Sequence, residues 1–409
     1  MSRVSRRGIG SLAVAFIVVL AALVLTQVEA LAQTIAPPRS LSELKDETLL
    51  RVERGMYPGA GLAVDDAREA LSHINSLDRD EWAAAWSGIG DRYRRQAEQA
   101  DGQAARDGFY KAFQYYSMAR FPTPNSPGKR AAYDKAVAAY LAYAKFDLPR
   151  LEVVRIPFEG KEIVGYLRLP DKARPSPLMI MWGGLDFLKE QSADNLLPIV
   201  REDGFAAFSV DMPGTGQAPI KVSATAERMY SAILDYMKTR QEIDAGKIFI
   251  WGASWGGYWA TKVAITEKDR IAGAINQGGP IHVYFSPEWQ MKALGTREYL
   301  MDLLAARSAI YDNVTTLAEF LAVGPKMSLL SAGFLDKPSA PLLAFNGAKD
   351  SQVPIEDLTL LLLHGSIKEA WVNPDGNHVA FAKGWPMSRM TREIVMPWVK
   401  KILAAKPPS

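Results

Sequence analysis

Lys247-Ile248-Phe249-Ile250-Trp251-Gly252-Ala253-Ser254-Trp255-Gly256-Gly257 decides the fold. Its first five residues read as a buried strand, a short run of β-branched and aromatic side chains without polar alternation. Gly252-Ala253-Ser254-Trp255-Gly256 follows at once and fits Gly-x-Ser-x-Gly, the nucleophile elbow. The glycines have a steric purpose. A serine on a sharp strand-to-helix turn presents its hydroxyl above the sheet, and side chains two residues before and after it would clash with the turn. Trp259 to Thr266 then reads as a helix. Strand, elbow and helix in that order predict an α/β-hydrolase fold, a mostly parallel doubly wound sheet, with Ser254 as nucleophile. A Gly-rich turn without chemistry would match the same five letters, so the partners must decide.

A serine hydroxyl is a poor nucleophile near neutral pH and needs a base, which in turn needs an orienting carboxylate. The chain has four histidines. His378 follows Asn373-Pro374-Asp375-Gly376-Asn377 in a loop after the last expected strand, where this fold places its base. His364 sits in a leucine-rich helical run, and His73 among N-terminal helices, so neither is a candidate. His282 follows Gly278-Gly279-Pro280 near the carboxyl edge and is a candidate pocket residue. Asp350 leaves the penultimate strand after Asn346-Gly347-Ala348 and precedes His378, as the chain order nucleophile, acid, base requires. Asp336 precedes that strand, at its wrong end, and Asp375 is better suited to an Asx turn. The oxyanion needs two backbone donors. One is expected from Trp255, and the other from Gly184 or Leu185 in Trp182-Gly183-Gly184-Leu185-Asp186 after the third strand.

Outward from the elbow, short apolar runs alternate with helical stretches from Leu151 on. The expected strands are Leu151–Ile156, Ile163–Leu169, Leu178–Trp182, Phe205–Val210, Lys247–Trp251, Gly273–Asn276, Leu342–Phe345 and Glu369–Val372. Phe158-Glu159-Gly160-Lys161 is a turn, so the first two pair antiparallel. The others are separated by helices, which implies parallel pairing through right-handed crossovers. Residues 286–335 read as a helical insertion over the carboxyl edge. Asp211-Met212-Pro213-Gly214-Thr215-Gly216 is a turn expected to shape the pocket wall.

Residues 33–150 read as a helical cap region, and 151–409 as the catalytic domain. Ala, Glu, Arg, Gln and Tyr dominate the cap, with few β-branched residues. Asp80 before Glu81-Trp82-Ala83-Ala84-Ala85-Trp86 is expected to cap a helix. Phe109, Tyr110, Phe113, Tyr115 and Tyr116 crowd another helix and are expected to roof the pocket. A breaker follows at Phe121 to Gly128, and a helix from Lys129 to Lys145. Pro37-Pro38 is a short linker. Before it, Arg3, Arg6 and Arg7, the apolar run Ile9 to Leu25 and Ala30-Leu31-Ala32 make the three parts of a secretory signal peptide over residues 1–32. This predicts a periplasmic or secreted protein without a membrane segment after cleavage; an uncleaved anchor is the alternative.

The chain has no cysteine, which excludes disulfides, thiolate metal sites and cysteine nucleophiles. A net charge of +3 on 409 residues gives no reason to expect nucleic acid as partner. The serine mechanism needs no cofactor and no metal.

Trp182-Gly183-Gly184-Leu185-Asp186, Asp211-Met212-Pro213-Gly214-Thr215-Gly216, Gly252-Ala253-Ser254-Trp255-Gly256-Gly257, Asp350 with Val353-Pro354, and Gly376-Asn377-His378 stand in a telling order. Over about residues 80 to 400 the chain resembles the fermentation-respiration switch esterase-like family, which includes dihydroxypseudooxynicotine hydrolase and fungal polyketide-shortening hydrolases. The resemblance implies Ser254, Asp350 and His378 as triad, a helical N-terminal cap, and cleavage of carboxylic esters or of carbon–carbon bonds in ketones. In the carbon–carbon cleaving members an extra acid lies beyond the nucleophile, and Glu288 is the nearest match. Dimers are common among such proteins, so a homodimer is an expectation here.

The expected function is hydrolysis of a small-molecule carboxylic ester with an apolar or aromatic substrate. Three alternatives remain open at the level of sequence: a carbon–carbon hydrolase of a diketone-like substrate, a prolyl-oligopeptidase-like peptidase, and a binding protein with a silent site.

Overall fold

The computed structural model describes residues 39–171 and 175–405. The signal peptide and the Pro37-Pro38 linker lie outside the described residues. Five helices come first: α1 (Leu41–Glu53), α2 (Val64–Ser72), α3 (Arg79–Glu98), α4 (Gly102–Ala119) and α5 (Pro127–Ala144). Asp78, not Asp80, caps α3, its side chain accepting from the backbone N–H groups of Asp80 and Glu81. Asp80 is therefore already inside the helix, and its carboxylate instead takes the Gly128 N–H at 2.7 Å, tying α3 to the start of α5. The aromatic side chains of α4 are spent on the cap's own core. Tyr115 stacks on Trp86 and Tyr93, and Tyr116 is fully buried. They hold the helices together, as large buried rings do, and do not form the roof expected of them.

All eight expected strands are present: β1 (Leu151–Phe158), β2 (Lys161–Arg168), β3 (Ser176–Trp182), β4 (Ala206–Val210), β5 (Ile243–Ala253), β6 (Gly273–Gln277), β7 (Leu342–Gly347) and β8 (Glu369–Asn373). They form one sheet in the order β1-β2-β4-β3-β5-β6-β7-β8. β1 and β2 pair antiparallel, as does β2 with β4, and every later neighbour is parallel. The helices that make the crossovers include α6 (Lys189–Pro198), α7 (Arg228–Thr239) and α8 (Trp255–Thr266). Three more, α9 (Pro287–Gly295), α10 (Leu303–Ala309) and α11 (Leu317–Val323), fill the stretch between β6 and β7. Two others, α12 (Ile355–Leu362) and α13 (Met396–Ala405), flank β8 in sequence.

Strand alternation explains why the second half of β5 lacks charged positions. Ile248 and Ile250 face one apolar layer with Tyr230, Leu234 and Val263. Phe249 and Trp251 face the other, with Met179, Phe345 and Trp398. Covered on both faces, β5 is apolar from Ile248 to its end, while Asp244 and Lys247 stand in its solvent-facing first half.

Two sets of polar contacts fasten the helical region to the rest. The first clasps the segment between α9 and α10. Arg39 donates to the carbonyls of Arg297, Tyr299 and Leu300, and Arg51 to that of Glu298. Arg79 binds the Asp302 carboxylate through two nitrogens at 2.5 and 3.0 Å, and the wholly buried Lys129 ammonium lies 3.3 Å from it. The second set centres on Lys189 at the start of α6. Its buried ammonium meets Tyr133 of α5 at 2.8 Å, and Asp211 and Glu190 at 2.9 Å each. Tyr166 of β2 donates to Glu190 at 3.0 Å. Asp211 thus anchors the cap and also braces the turn it opens, its Oδ2 accepting the Gln217 N–H at 2.9 Å. Gly214 and Gly216 behind it line a cavity of about 370 Å³ on the seam with α5, and neither Ser254 nor His378 borders that cavity.

Candidate active site

The strand order delivers loops from β3, β5, β7 and β8 to one edge of the sheet. Ser254 sits between β5 and α8 with φ of 56° and ψ of −131°. A non-glycine residue in such a conformation carries strain, held here by its neighbours. Its N–H donates to the Gln277 carbonyl at 2.8 Å, and its carbonyl accepts from Gly257 N–H at 2.7 Å. A methyl group on Gly252 would lie 2.0 Å from the Gly256 carbonyl oxygen, so the chain crosses itself too closely there for any side chain.

His378 Nε2 lies 2.8 Å from Ser254 Oγ, and His378 Nδ1 lies 2.8 Å from Asp350 Oδ2. The three residues come from three strand ends and meet in one hydrogen-bonded line. The Asp350 side chain is 0% exposed and that of His378 is 19% exposed. Asp350 is well tethered: Oδ1 accepts from the N–H groups of Gln352 and Val353, and Oδ2 from the Asn346 side chain at 2.9 Å. Burial works against its charge, but the His378 ring and these donors outweigh burial and hold its pKa below the ordinary carboxylate value. Burial likewise opposes a charge on His378. The Asp350 carboxylate, aided by Glu298 and Asp186, overcomes it and raises the imidazole pKa above 6.5.

Gly184 faces the serine. A methyl group on it would stand 2.7 Å from Ser254 Cβ, 2.8 Å from Ser254 Oγ and 3.1 Å from the Trp255 nitrogen. The β3 loop and the first N–H of α8 therefore flank the serine hydroxyl from two sides, the placement that oxyanion donors require. Leu185, the neighbouring candidate, is buried beside them.

The other expected residues are placed elsewhere. His282 Nδ1 bonds Ser328 Oγ at 2.7 Å and has no bond to Ser254, His378 or Asp350. Glu288 is exposed on the first turn of α9, and no hydrogen bond or ion pair joins it to those three residues. An acid in the first turn is favoured there by the helix dipole, which accounts for Glu288 without a role at the serine. Among the remaining acids, Asp336 pairs with His364 at 2.8 Å and Asp375 with Lys349 at 2.7 Å, both away from the serine. Two buried acids escaped the sequence reading. Asp357 on α12 accepts the four backbone N–H groups of Ile281 to Tyr284, which fixes the loop leaving β6. Asp186 lies in the quoted β3 loop motif, and its burial was the signal that only a structure supplies.

The aromatic cluster beside the β3 loop residue Asp186, termed the roof, comes from loops. Phe121 packs between Tyr57, 5.8 Å away, and Tyr299, 6.1 Å away. Among the described residues no group of three or more His, Asp or Glu is arranged to hold a metal ion, and no helix is long and apolar enough to cross a membrane.

An eight-stranded sheet of this order, with a serine on a strained elbow bonded to a histidine from the last strand end, defines an α/β-hydrolase. The family model described as Esterase FrsA-like matches residues 66–373, and the chain belongs to that family. It is 27% identical over 304 residues to Esterase FrsA of Vibrio cholerae serotype O1, covering 72% of this chain and 71% of that one. With Esterase FrsA of Photobacterium profundum the identity is 24% over 347 residues, 82% of this chain and 80% of the relative. In three dimensions it resembles AbyA5, with a TM-score of 0.67 at 22% identity over 83% of this chain and 94% of the other. It also resembles 2,6-dihydroxy-pseudo-oxynicotine hydrolase, with a TM-score of 0.67 at 22% identity over 88% and 96% of the two chains. The protein is a hydrolase of the esterase type that its family carries.

Proposed function

We propose that the chain is a serine esterase that works through an acyl-enzyme. The observation that carries this reading is the line Asp350–His378–Ser254, with 2.8 Å at each step. His378 takes the serine proton as Ser254 Oγ attacks the ester carbonyl. The carbonyl electrons move onto oxygen, where the N–H of Trp255 and that of Gly184 or Leu185 receive the charge. His378 then gives its proton to the departing alcohol, and the cycle repeats with water to release the acid. Asp350 holds the imidazole in the tautomer that leaves Nε2 free to accept and stabilises the imidazolium that forms. Tyr57, Phe121 and Tyr299 favour a substrate with apolar or aromatic surface.

A fluorophosphonate probe tests the reading directly. It should label Ser254 and block turnover of short phenyl and p-nitrophenyl esters; an unlabelled, ester-inactive protein would overturn it. A diketone included in the same panel separates ester from carbon–carbon cleavage through the products formed.

Export belongs to the same proposal. It is supported by the basic start, apolar run and Ala30-Leu31-Ala32 of the first 32 residues. The mature chain recovered from the producing cell should then begin at Gln33. Light scattering checks the expected homodimer.

A further inference from the structure

Three of the four donors on Asp350 have an evident reason. The N–H groups of Gln352 and Val353 belong to the turn that carries the acid, and His378 is the base. The fourth donor is a side chain. Asn346, near the end of β7, donates from Nδ2 to Asp350 Oδ2 at 2.9 Å. That oxygen is the one His378 Nδ1 meets at 2.8 Å.

Asn346 is 2% exposed. Its Oδ1 is fully covered and has no hydrogen-bond partner among the described residues. The residue borders a cavity of about 10 Å³, shared with Asn276, Gly278, Val353 and Leu358, and no lining side chain there is ionisable. Turning the amide over would set Oδ1 against the Asp350 carboxylate, acceptor against acceptor, so its orientation is fixed. A buried amide with one end unbonded costs stability that an apolar side chain of the same shape does not. The one side-chain bond it makes is to the catalytic acid.

That bond has a chemical consequence. A donor on a carboxylate steadies the ionised form, and Asn346 acts on Asp350 in this direction. Charge that Oδ2 shares with the amide is charge it does not lend to the imidazole. The other charged groups facing His378 are Glu298, between α9 and α10, and Asp186 of the β3 loop, and both add to the pull of Asp350. Asn346 works against that pull.

We propose that Asn346 is a positioning residue for the base: its amide aims Asp350 Oδ2 at His378 Nδ1 and tempers the charge there, so that His378 stays a free base to lower pH than the surrounding carboxylates would otherwise allow. This rests on the esterase reading above, because only a free imidazole can take the serine proton.

Asn346→Leu tests it, since leucine keeps the branched shape and removes the donor. The cavity beside the amide leaves space for the larger methyl group. His378 should then titrate higher by about half a pH unit or more, read from its imidazole resonances by NMR. The acid limb of kcat/KM for phenyl acetate should move up with it, about a threefold loss against the wild type at pH values below the midpoint. Tm should hold or rise, because the unbonded amide is gone. A merely structural bond would lower Tm and leave the limb where it was. An imidazole that titrates at or below the wild-type value in the folded variant overturns the proposal. Should Asn346→Leu fail to fold, Asn346→Ala, which removes the donor without filling the space, is read in the same way. Loss of the esterase reading looks different: the wild type would escape fluorophosphonate labelling and show no acid limb, while the NMR titration of His378 would still judge Asn346.

Discussion

The nucleophile edge and the roof above it are built on opposite principles. At the edge, Gly184, Gly252 and Ser254 sit so close together that a single methyl group would collide with backbone or with the serine. The elbow follows from the glycines around Ser254, and the neighbouring strand ends close on it through Gln277 and Gly184. The roof has no such local cause. Tyr57, Phe121 and Tyr299 lie 64 and 178 residues apart in succession, and what brings them together is a set of arginine and lysine contacts onto residues 297–302. The serine is thus set by close packing at the strand ends and the roof by polar contacts at long range, and substitutions in the two regions should differ in kind.

Ser254→Ala should have the largest effect. A triad nucleophile contributes about 10⁶ in kcat, and removing the hydroxyl disturbs neither the elbow nor the sheet. Single-turnover assays should show the loss with Tm unchanged. A loss of less than about tenfold would break the assignment and, with it, the contrast.

Gly184→Ala comes next. The added methyl group would press on Ser254 Oγ and move the loop away from Trp255 N–H. Displacing one oxyanion donor costs about 10²-fold in kcat. KM should change far less, since the roof is untouched.

Roof substitutions should act on stability and KM. Asp302→Asn keeps a residue that tolerates the positive φ of 60° at this position, but leaves the wholly buried Lys129 ammonium without its carboxylate. Breaking a buried pair this way costs about 3 kcal/mol. Arg79→Ala removes the other partner, whose side chain is 40% exposed, and should cost under about 1 kcal/mol. Urea titration of both variants ranks them. Equal losses would mean that Lys129 does not depend on Asp302.

The same contrast sets what could be read from sequence. Every strand was legible, the central ones because a strand covered on both faces has to be a short apolar run bounded by turns, and β1 and β2 from the turn between them. The meeting of Ser254, Asp350 and His378 was legible from chain order, since each follows a strand end on one edge. The roof was not. The aromatic side chains of α4 have the composition of a pocket lining, yet Tyr115 and Tyr116 are consumed by packing within the cap. Tyr57 and Tyr299 stand in unremarked loops. Asp78 and Asp80 stand two residues apart, and only the N–H directions of α3 tell cap from first-turn residue. Glu288 is exposed on the first turn of α9, and which side of that helix faces the sheet is set by packing that chain order does not give.

A further effect, dependent on pH, concerns the seam between cap and sheet. Asp194 of α6 accepts the Tyr140 hydroxyl of α5 at 3.0 Å. Burial raises its pKa from 3.8 to about 7, against the pull of Tyr140 and Arg168. The folded chain therefore keeps a proton that the unfolded chain releases above about pH 4. This group's contribution to stability is fully present below 3.8 and is lost as pH rises toward 7, where the folded form ionises too. Asp194→Asn keeps the Tyr140 bond and removes the titration. The wild type should thus lose stability relative to the variant between pH 4 and 7, by a few degrees in Tm, and the gap should then level off. A gap that stays flat across that range would show the carboxylate charged at the seam, and the seam would then be as polar as the clasp on residues 297–302.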